Sequence, residues 1–314
     1  MYGVYLKRVL IALGGNALLR TDEEQTYSNQ YQNVSNAARH IARLVSKNKS
    51  MKLIITHGNG PQVGDEFLRN LFASNRVKSL PFHIINAETQ AFIGSMLETA
   101  LLYHFAQLGI ERDISVVMTH AIVSPKDTAF SKPRKPIGPL YTRKQLEQEL
   151  RREKFSYVRL GGKYRRVIAS PAPIEVVEHD QIRRLFDSGT IVIAGGGGGI
   201  PVYKSKGIKY APPSVIDKDS TSRLIANSIF VEQMVILTDI DYVYRDLSDK
   251  STYISRASTA ELERMMPYFG EGTMKPKVKA CIDFIRHGGT VANIGRLELI
   301  DEVITGRSGT TITK

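Results

Sequence analysis

Six short apolar runs, Arg8–Leu13, Lys52–Thr56, Ile114–Met118, Thr190–Ala194, Met234–Leu237 and Thr290–Ile294, are nearly unbroken in Val, Ile and Leu. Strands buried on both faces have this composition, whereas a half-exposed antiparallel strand alternates apolar with polar residues. Between the runs lie amphipathic stretches at Asn33–Ser46, Ala87–Ala106, Glu175–Asp187, Ser220–Asn227, Thr259–Met266 and Lys277–His287. Alternating β and α units of this length predict right-handed crossovers and an open, mainly parallel sheet with helices on both faces. Ligands of such sheets bind outside the carboxyl ends of the strands, and that is where the chemistry should be sought.

Those ends are rich in glycine. Gly14-Gly15-Asn16 follows the first run, His57-Gly58-Asn59-Gly60-Pro61-Gln62 the second, and Gly195 to Gly199 the run that ends at Ala194. Glycine lets backbone N–H groups approach a ligand closely, and a following helix turns its positive N-terminus towards an anion. One such turn could be purely steric; three at strand ends of one sheet point to phosphate. The sequence contains no G-x-x-x-x-G-K-[ST], no G-x-G-x-x-G with a downstream acid, and no H-R-D paired with D-F-G. P-loop enzymes, Rossmann dehydrogenases and protein kinases are thereby excluded as far as motifs can exclude them. Zinc-protease and serine-hydrolase signatures are missing as well.

Lysines sit in unusual company near two helix starts, in Val215-Ile216-Asp217-Lys218-Asp219 and in Gly272-Thr273-Met274-Lys275-Pro276-Lys277. A helix N-terminus favours anions, so cations there are misplaced unless a polyphosphate lies between them. Asp217 could hold two ammonium groups in place. Phosphoryl transfer asks for charge neutralisation more than covalent chemistry, and lysines, backbone N–H groups and Mg²⁺ suffice for it. Surface lysines at helix starts are the plain alternative for any one of them.

Charge is distributed unevenly. The 314 residues carry 43 Lys and Arg against 31 Asp and Glu, a net +12. Lys132 to Arg166 alone holds twelve of the cations, opposed by Glu147, Glu149 and Glu153, so nine of the twelve net charges lie in that segment. Its prolines (Pro133, Pro136, Pro139) and the later GGKYRR predict turns and short strands around one helix near Thr142 to Arg152. The segment is either a solvated flap or a lid that brings cations over an anionic substrate. The length allows about two lobes. A lone Cys281 cannot form an internal disulfide, and no apolar run approaches the ~18 residues of a membrane span. A cytoplasmic location, with no membrane partner, is the expectation.

Read end to end, the chain resembles the amino-acid kinase superfamily and, within it, the carbamate kinases, including the similar archaeal enzymes once described as carbamoyl phosphate synthetases. The matching strings are IALGGNAL at Ile11–Leu18, THGNGPQVG at Thr56–Gly64, KPIGPLY at Lys135–Tyr141, RRV…SP at Arg165–Pro171, AGGGGGIPV at Ala194–Val202, VIDKD at Val215–Asp219, LTD at Leu237–Asp239 and GTMKPKV at Gly272–Val278. The KPxGP and RRV…SP pair is the most specific of these. The resemblance implies a three-layer α/β/α sandwich with an N-terminal carbamate-binding lobe (1–185), a C-terminal ATP-binding lobe (186–314), a protruding subdomain at about 122–172 and a homodimeric assembly. It implies reversible transfer between ATP and carbamate, giving ADP and carbamoyl phosphate, run towards ATP in arginine catabolism. Mg²⁺ would come with ATP or ADP, held by nucleotide phosphates and not by protein side chains.

By the same resemblance, the backbones of Gly14, Gly15, Asn16, Gly58, Asn59 and Gly60 would surround the phosphoryl group and carbamate. Lys218 and Lys277 would touch the ATP phosphates, oriented by Asp217, and Lys135 would reach in from the subdomain. Gly196, Gly197, Gly198 and Asp219 would lie along the nucleotide, with Asp239, Tyr244 and Met274 near its adenosine end. Two departures stand out: Lys275 where the family commonly has glycine, and Asn86 to Thr89, which strays from the pattern while Gln90 and Gly94 are kept. Acetylglutamate- or uridylate-kinase-like activity is the nearest rival. A nucleic-acid binder built on the basic segment is the rival from another class, unsupported by any accompanying motif. His57 is expected to orient the HGNG turn, Cys281 to be core, and Tyr27 and Tyr31 to pack.

Overall fold

The computed structural model describes residues 7–15, 18, 23–24, 26–152, 154–270 and 274–314. The strands are β1 (Arg8–Leu13), β2 (Lys52–His57), β3 (Ile114–Val116), β4 (His120–Val123), β5 (Lys135–Tyr141), β6 (Ser156–Leu160), β7 (Lys163–Ile168), β8 (Pro173–Val176), β9 (Ile191–Ile193), β10 (Ile200–Lys204), β11 (Ile208–Tyr210), β12 (Gln233–Thr238), β13 (Val243–Tyr244), β14 (Tyr253–Ile254), β15 (Arg256–Ser258), β16 (Val291–Arg296) and β17 (Thr310–Thr313). The α-helices are α1 (Tyr27–Lys47), α2 (Gly60–Ala73), α3 (Phe82–Leu108), α4 (Arg143–Arg152), α5 (His179–Ser188), α6 (Lys218–Ser228), α7 (Thr259–Met265), α8 (Met274–Arg286) and α9 (Ile300–Ile304).

All six apolar runs become strands of one eight-stranded sheet, ordered β15-β17-β16-β12-β1-β2-β9-β3. Every pairing in it is parallel except β16 with β17. Alternation along β1 shows why these runs carry so few polar residues. Val9, Ile11 and Leu13 pack into a core with α1, α3 and α9, while Leu10 and Ala12 face a second core built from α5, α6, α7 and α8. Each residue from Val9 to Leu13 thus has a covered face, and removing a side chain such as Leu10 would leave a cavity costing about 2–5 kcal/mol. The α/β class with helices on both faces is as the sequence predicts.

Two smaller sheets and a two-stranded antiparallel β13-β14 pair complete the architecture among the described residues. The first, β11-β10-β4-β8, pairs β10 with β4 in parallel and both outer pairs antiparallel. The second, β5-β7-β6, is antiparallel throughout and, with α4, forms a basic subdomain over Lys135–Ile168. The expected Thr142–Arg152 helix is α4. The expected helix over Glu175–Asp187 is only half correct: Glu175 and Val176 belong to β8, paired with β4, and α5 starts at His179. Pro173 and the β-branched Ile174 and Val176 favour the extended backbone over a helical one. In the other direction, α1 begins at Tyr27 rather than Asn33, because the Thr26 hydroxyl caps it by accepting from the Asn29 N–H.

Candidate functional site

Strands β1, β2, β9 and β12 end on the same edge of the parallel sheet, so the glycine turns after β1, β2 and β9 meet there beside the end of β12. The Gly14 N–H donates to the Leu237 carbonyl of β12 at 2.9 Å, tying the first turn to its neighbour. Beyond β9 the chain makes a tight turn over Gly196–Gly198, in which Gly197 has φ +59. A Cβ there would lie 2.2 Å from Asn59 Nδ2, so glycine is required both by backbone conformation and by the side chain from the β2 turn.

Helix α6 brings the charges. The Asp217 Oδ1 caps it, accepting from the N–H groups of Asp219 and Ser220, each at 3.1 Å. The other carboxylate oxygen of Asp217 accepts from Lys135 Nζ at 3.0 Å, which links the subdomain to the site. Asp219, in the first turn of the helix and only 2% exposed, accepts from Lys218 through Oδ1 and from Lys277 of α8 through Oδ2, the latter at 3.2 Å. The carboxylate that bridges the two half-buried lysines is therefore Asp219, not Asp217 as expected. Asp217 is committed to the helix cap and to Lys135, while Asp219 faces α8.

A cavity of ≈190 Å³ opens among these groups, lined by Gly15, Gly58, Asn59, Gly60, Lys135, Gly197, Asp217, Lys218, Asp219 and Lys277 together with apolar residues including Ile137 and Val215. A second cavity of ≈260 Å³ is lined by Asp239, Tyr244, Met274 and, again, Lys277. One lysine thus borders both spaces, as a group between the phosphate and base ends of a nucleotide would. Of the remaining expected residues, Gly14 is held against β12, Gly196 and Gly198 are buried in the turn beside Gly197, and Asn16 lies outside the described residues. A wider, open concavity of ≈720 Å³ beside α1 is lined by Tyr27, Tyr31, Arg39 and His104 and includes no strand-end glycine.

The sequence profile described as the Amino acid kinase family matches residues 7–295. The chain belongs to the amino acid kinase family. Among amino acid kinase relatives, the carbamate kinase of Pyrococcus horikoshii is 38% identical, across 98% of this chain and 99% of its own. That of Haemophilus influenzae is also 38% identical, across 98% and 97%. Carbamate kinase from Giardia lamblia bound to AMP-PNP superposes with a TM-score of 0.89 at 33% identity, covering 98% of each chain. An N-acetylglutamate synthase from Neisseria gonorrhoeae, at 17% identity and a TM-score of 0.59, shares the amino acid kinase fold alone.

The electrostatics of this amino acid kinase follow from burial. Lys218 is pushed below the usual lysine value by burial, which outweighs the attraction of Asp219. Burial acts on Asp219 in the opposite sense to its two lysines, and the lysines win, holding its carboxyl below the usual range. Lys277 is desolvated too, yet Asp219 raises it. The result is a positively charged trio, two half-buried ammonium groups around one buried carboxylate. His57 is buried and held neutral, its pKa lowered to about 4 chiefly by desolvation, and its Nδ1 lies 2.9 Å from the Gly58 carbonyl. It supports the HGNG turn as expected. No group of three or more His, Cys, Asp or Glu side chains able to hold a metal occurs among the described residues. Cys281 is fully buried, in the core of α8.

The polar layer behind the glycines, beyond Asn59 and Gln90 themselves, escaped the sequence reading. Asn59 Nδ2 donates to Thr89 Oγ1 at 2.9 Å, and Gln90 exchanges two 3.0 Å hydrogen bonds with the Thr119 backbone. Thr119 Oγ1 accepts from the Gly195 N–H at 2.8 Å, and Thr221 Oγ1 donates to the Gly198 carbonyl at 2.7 Å. These bonds fix the turns from below. Thr89 could have been suspected as a polar residue on the covered face of a mostly apolar helix; Thr119 carries no such signal.

Proposed function

We propose that the chain is a carbamate kinase, catalysing ATP + carbamate ⇌ ADP + carbamoyl phosphate. The observation that carries this reading is the convergence of Lys135, Lys218 and Lys277, held by Asp217 and Asp219, on a small cavity walled by strand-end glycines. The Lys277 side shared with the second cavity takes the ATP phosphates together with Lys218, and adenosine occupies the space beside Asp239, Tyr244 and Met274. Carbamate and the transferring phosphoryl group lie against the turns that carry Gly14, Gly15 and Gly58–Gly60. A tiny anionic acceptor offers few handles, so backbone N–H groups and Lys135 supply its binding and alignment. Fixed ammonium groups stabilise charge on the transferring oxygens without reorganising during the reaction.

Both carboxylates at the phosphate end are already taken by ammonium groups and by the α6 cap, which leaves Mg²⁺ to be carried on nucleotide phosphates. When bound there, it neutralises charge between the leaving and transferring groups. The division into a carbamate lobe (1–185) and an ATP lobe (186–314), with the subdomain as a cover, belongs to the same reading. So does a homodimer, for which α3 offers an exposed face with Phe92, Leu102 and Tyr103; light scattering after gel filtration reads it directly. No helix of the described residues is long and apolar enough to cross a membrane.

The deciding experiment is ATP formation from MgADP and carbamoyl phosphate, with Lys277→Ala as the control. Turnover in the wild type that falls by orders of magnitude in the variant supports the assignment. Failure of the wild type to exceed the variant overturns it, and a panel of acceptor acids with labelled ATP then identifies which sister reaction replaces it.

A further inference from the structure

The subdomain meets the body of the protein through two glycines. Gly64 lies in the second turn of α2 and Gly138 in the middle of β5, three residues after Lys135. A Cβ on Gly64 would fall 2.4 Å from both the Cα and the N of Gly138, so the two backbones touch with no side chain between them. Their neighbours Val63 and Ile137 share a buried cluster with Ile85, Ile168 and Val215. Beside it, the Arg166 guanidinium of β7 stacks 3.8 Å over the Phe67 ring of α2, and Arg165 Nε donates to the Gly138 carbonyl at 2.9 Å. Lys135 itself is 37% exposed. Its ammonium is therefore placed by the seating of β5 rather than by burial.

We propose that Gly64 is a positioning residue for the phosphoryl-transfer site: its bare contact with Gly138 sets the depth at which the subdomain docks and so the point at which Lys135 enters the cavity. The proposal rests on the reading of Lys135 as a substrate contact. The smallest side chain at position 64 forces β5 back by about 1 Å before ordinary contact distance is restored, and a displacement of about 1 Å can cost up to 10²-fold in rate. The Arg166–Phe67 stack holds the seat from the side.

The test is a kinetic cycle on the full chain. Gly64→Ala is expected to lower kcat for ATP formation by about 10- to 100-fold and to raise KM for carbamoyl phosphate, with KM for MgADP unchanged. In a Lys135→Ala background the same substitution should change kcat by less than about twofold, because the group it misplaces is gone. An equal loss in both backgrounds overturns the proposal. Phe67→Leu, which loosens the seat without entering the glycine contact, should give a several-fold loss that Lys135→Ala likewise abolishes; it carries the test if Gly64→Ala does not fold. Amide hydrogen exchange over residues 135–141 reads the seating independently of activity. It should quicken in Gly64→Ala while exchange in β1 stays unchanged, and unchanged exchange at residues 135–141 overturns the proposal. A wild type without carbamate kinase turnover overturns the functional reading instead, with the exchange measurement still deciding the seating.

Discussion

Replacing Asp219 with asparagine tests the electrostatic core of the site. The carboxylate is 2% exposed and accepts from two ammonium groups, Lys218 and Lys277. Hydrogen bonds to charged groups contribute roughly 1.5–3 kcal/mol each, and stripping one partner from a buried ion cluster costs about 3–5 kcal/mol, so the two routes agree. Asparagine keeps one acceptor oxygen but turns an NH₂ towards the second lysine. The expected loss is thus near the low end, about 3 kcal/mol, or a fall in Tm on the order of 5–10 °C. Far-UV circular dichroism is the suitable probe, since the chain has no Trp. Turnover should fall with stability, on the order of 10²-fold, because both lysines proposed to meet the ATP phosphates lose their anchor. The folded Asp219 carboxyl is held below its ordinary value of 3.8, so its stabilisation is present above that pH and is lost as the pH falls through the depressed value. The gap between wild type and Asp219→Asn should therefore narrow on acidification below about pH 3.8. A variant with an unchanged Tm and near-normal kcat would refute the idea that one buried charge holds the two lysines.

Asp217→Asn should separate stability from activity: asparagine caps a helix as well as aspartate does, and the Lys135 pair is partly exposed, so the stability change stays under about 1 kcal/mol while turnover drops roughly tenfold. Thermal melts and kcat measured on one preparation check both halves. Lys218→Ala and Lys277→Ala should each lower kcat by on the order of 10²–10³, and Lys135→Ala should also cause a large loss; wild-type rates in the last would return the basic segment to a solvated flap. His57 should remain neutral in the folded protein well below pH 6, and its imidazole NMR signal should titrate near pH 4. Because the unfolded chain takes up that proton from about 6.5 downward, His57 weakens the fold as pH falls from 6.5 through 4, and His57→Gln should flatten this part of the acid-stability curve.

The strands of the main sheet were legible because double burial removes polar residues and leaves an unmistakable run, as in Val9–Leu13. The β8 strand was not, since Glu175 at its centre and the adjoining α5 pattern make the pair look like one amphipathic helix. At the site, glycine turns and lysines could be found because their chemistry is local to a few consecutive residues. The partner of each lysine could not. Asp217 and Asp219 flank Lys218 in sequence, and either could bridge the ammonium groups; the cap requirement of α6 at residue 217 decides between them, and that depends on where the helix starts. Thr119 is a stronger case, since its role is to receive the Gly195 N–H across two elements whose contact no spacing announces.

The charge of the basic segment also divides on inspection of the fold. Most of its cations, including Lys132, Arg134, Lys144, Arg151, Arg159 and Lys163, are exposed. Among the described residues three point inward, and each does something different: Lys135 borders the ≈190 Å³ cavity, Arg165 holds the Gly138 carbonyl, and Arg166 lies between the rings of Phe67 and Phe155. Only the first could meet a substrate. Exposed cations several residues from the cavity mouth are screened within about 8–10 Å at physiological salt, so they raise the encounter rate of anions more than the affinity of the bound state. Neutralising Arg159 and Lys163 together should therefore lower kcat/KM for carbamoyl phosphate at low salt, with kcat unmoved and the difference vanishing as salt is raised. A comparable drop in kcat would mean that the outer cations descend onto the substrate, and the subdomain would then be a closing lid over its whole face rather than a carrier for one lysine.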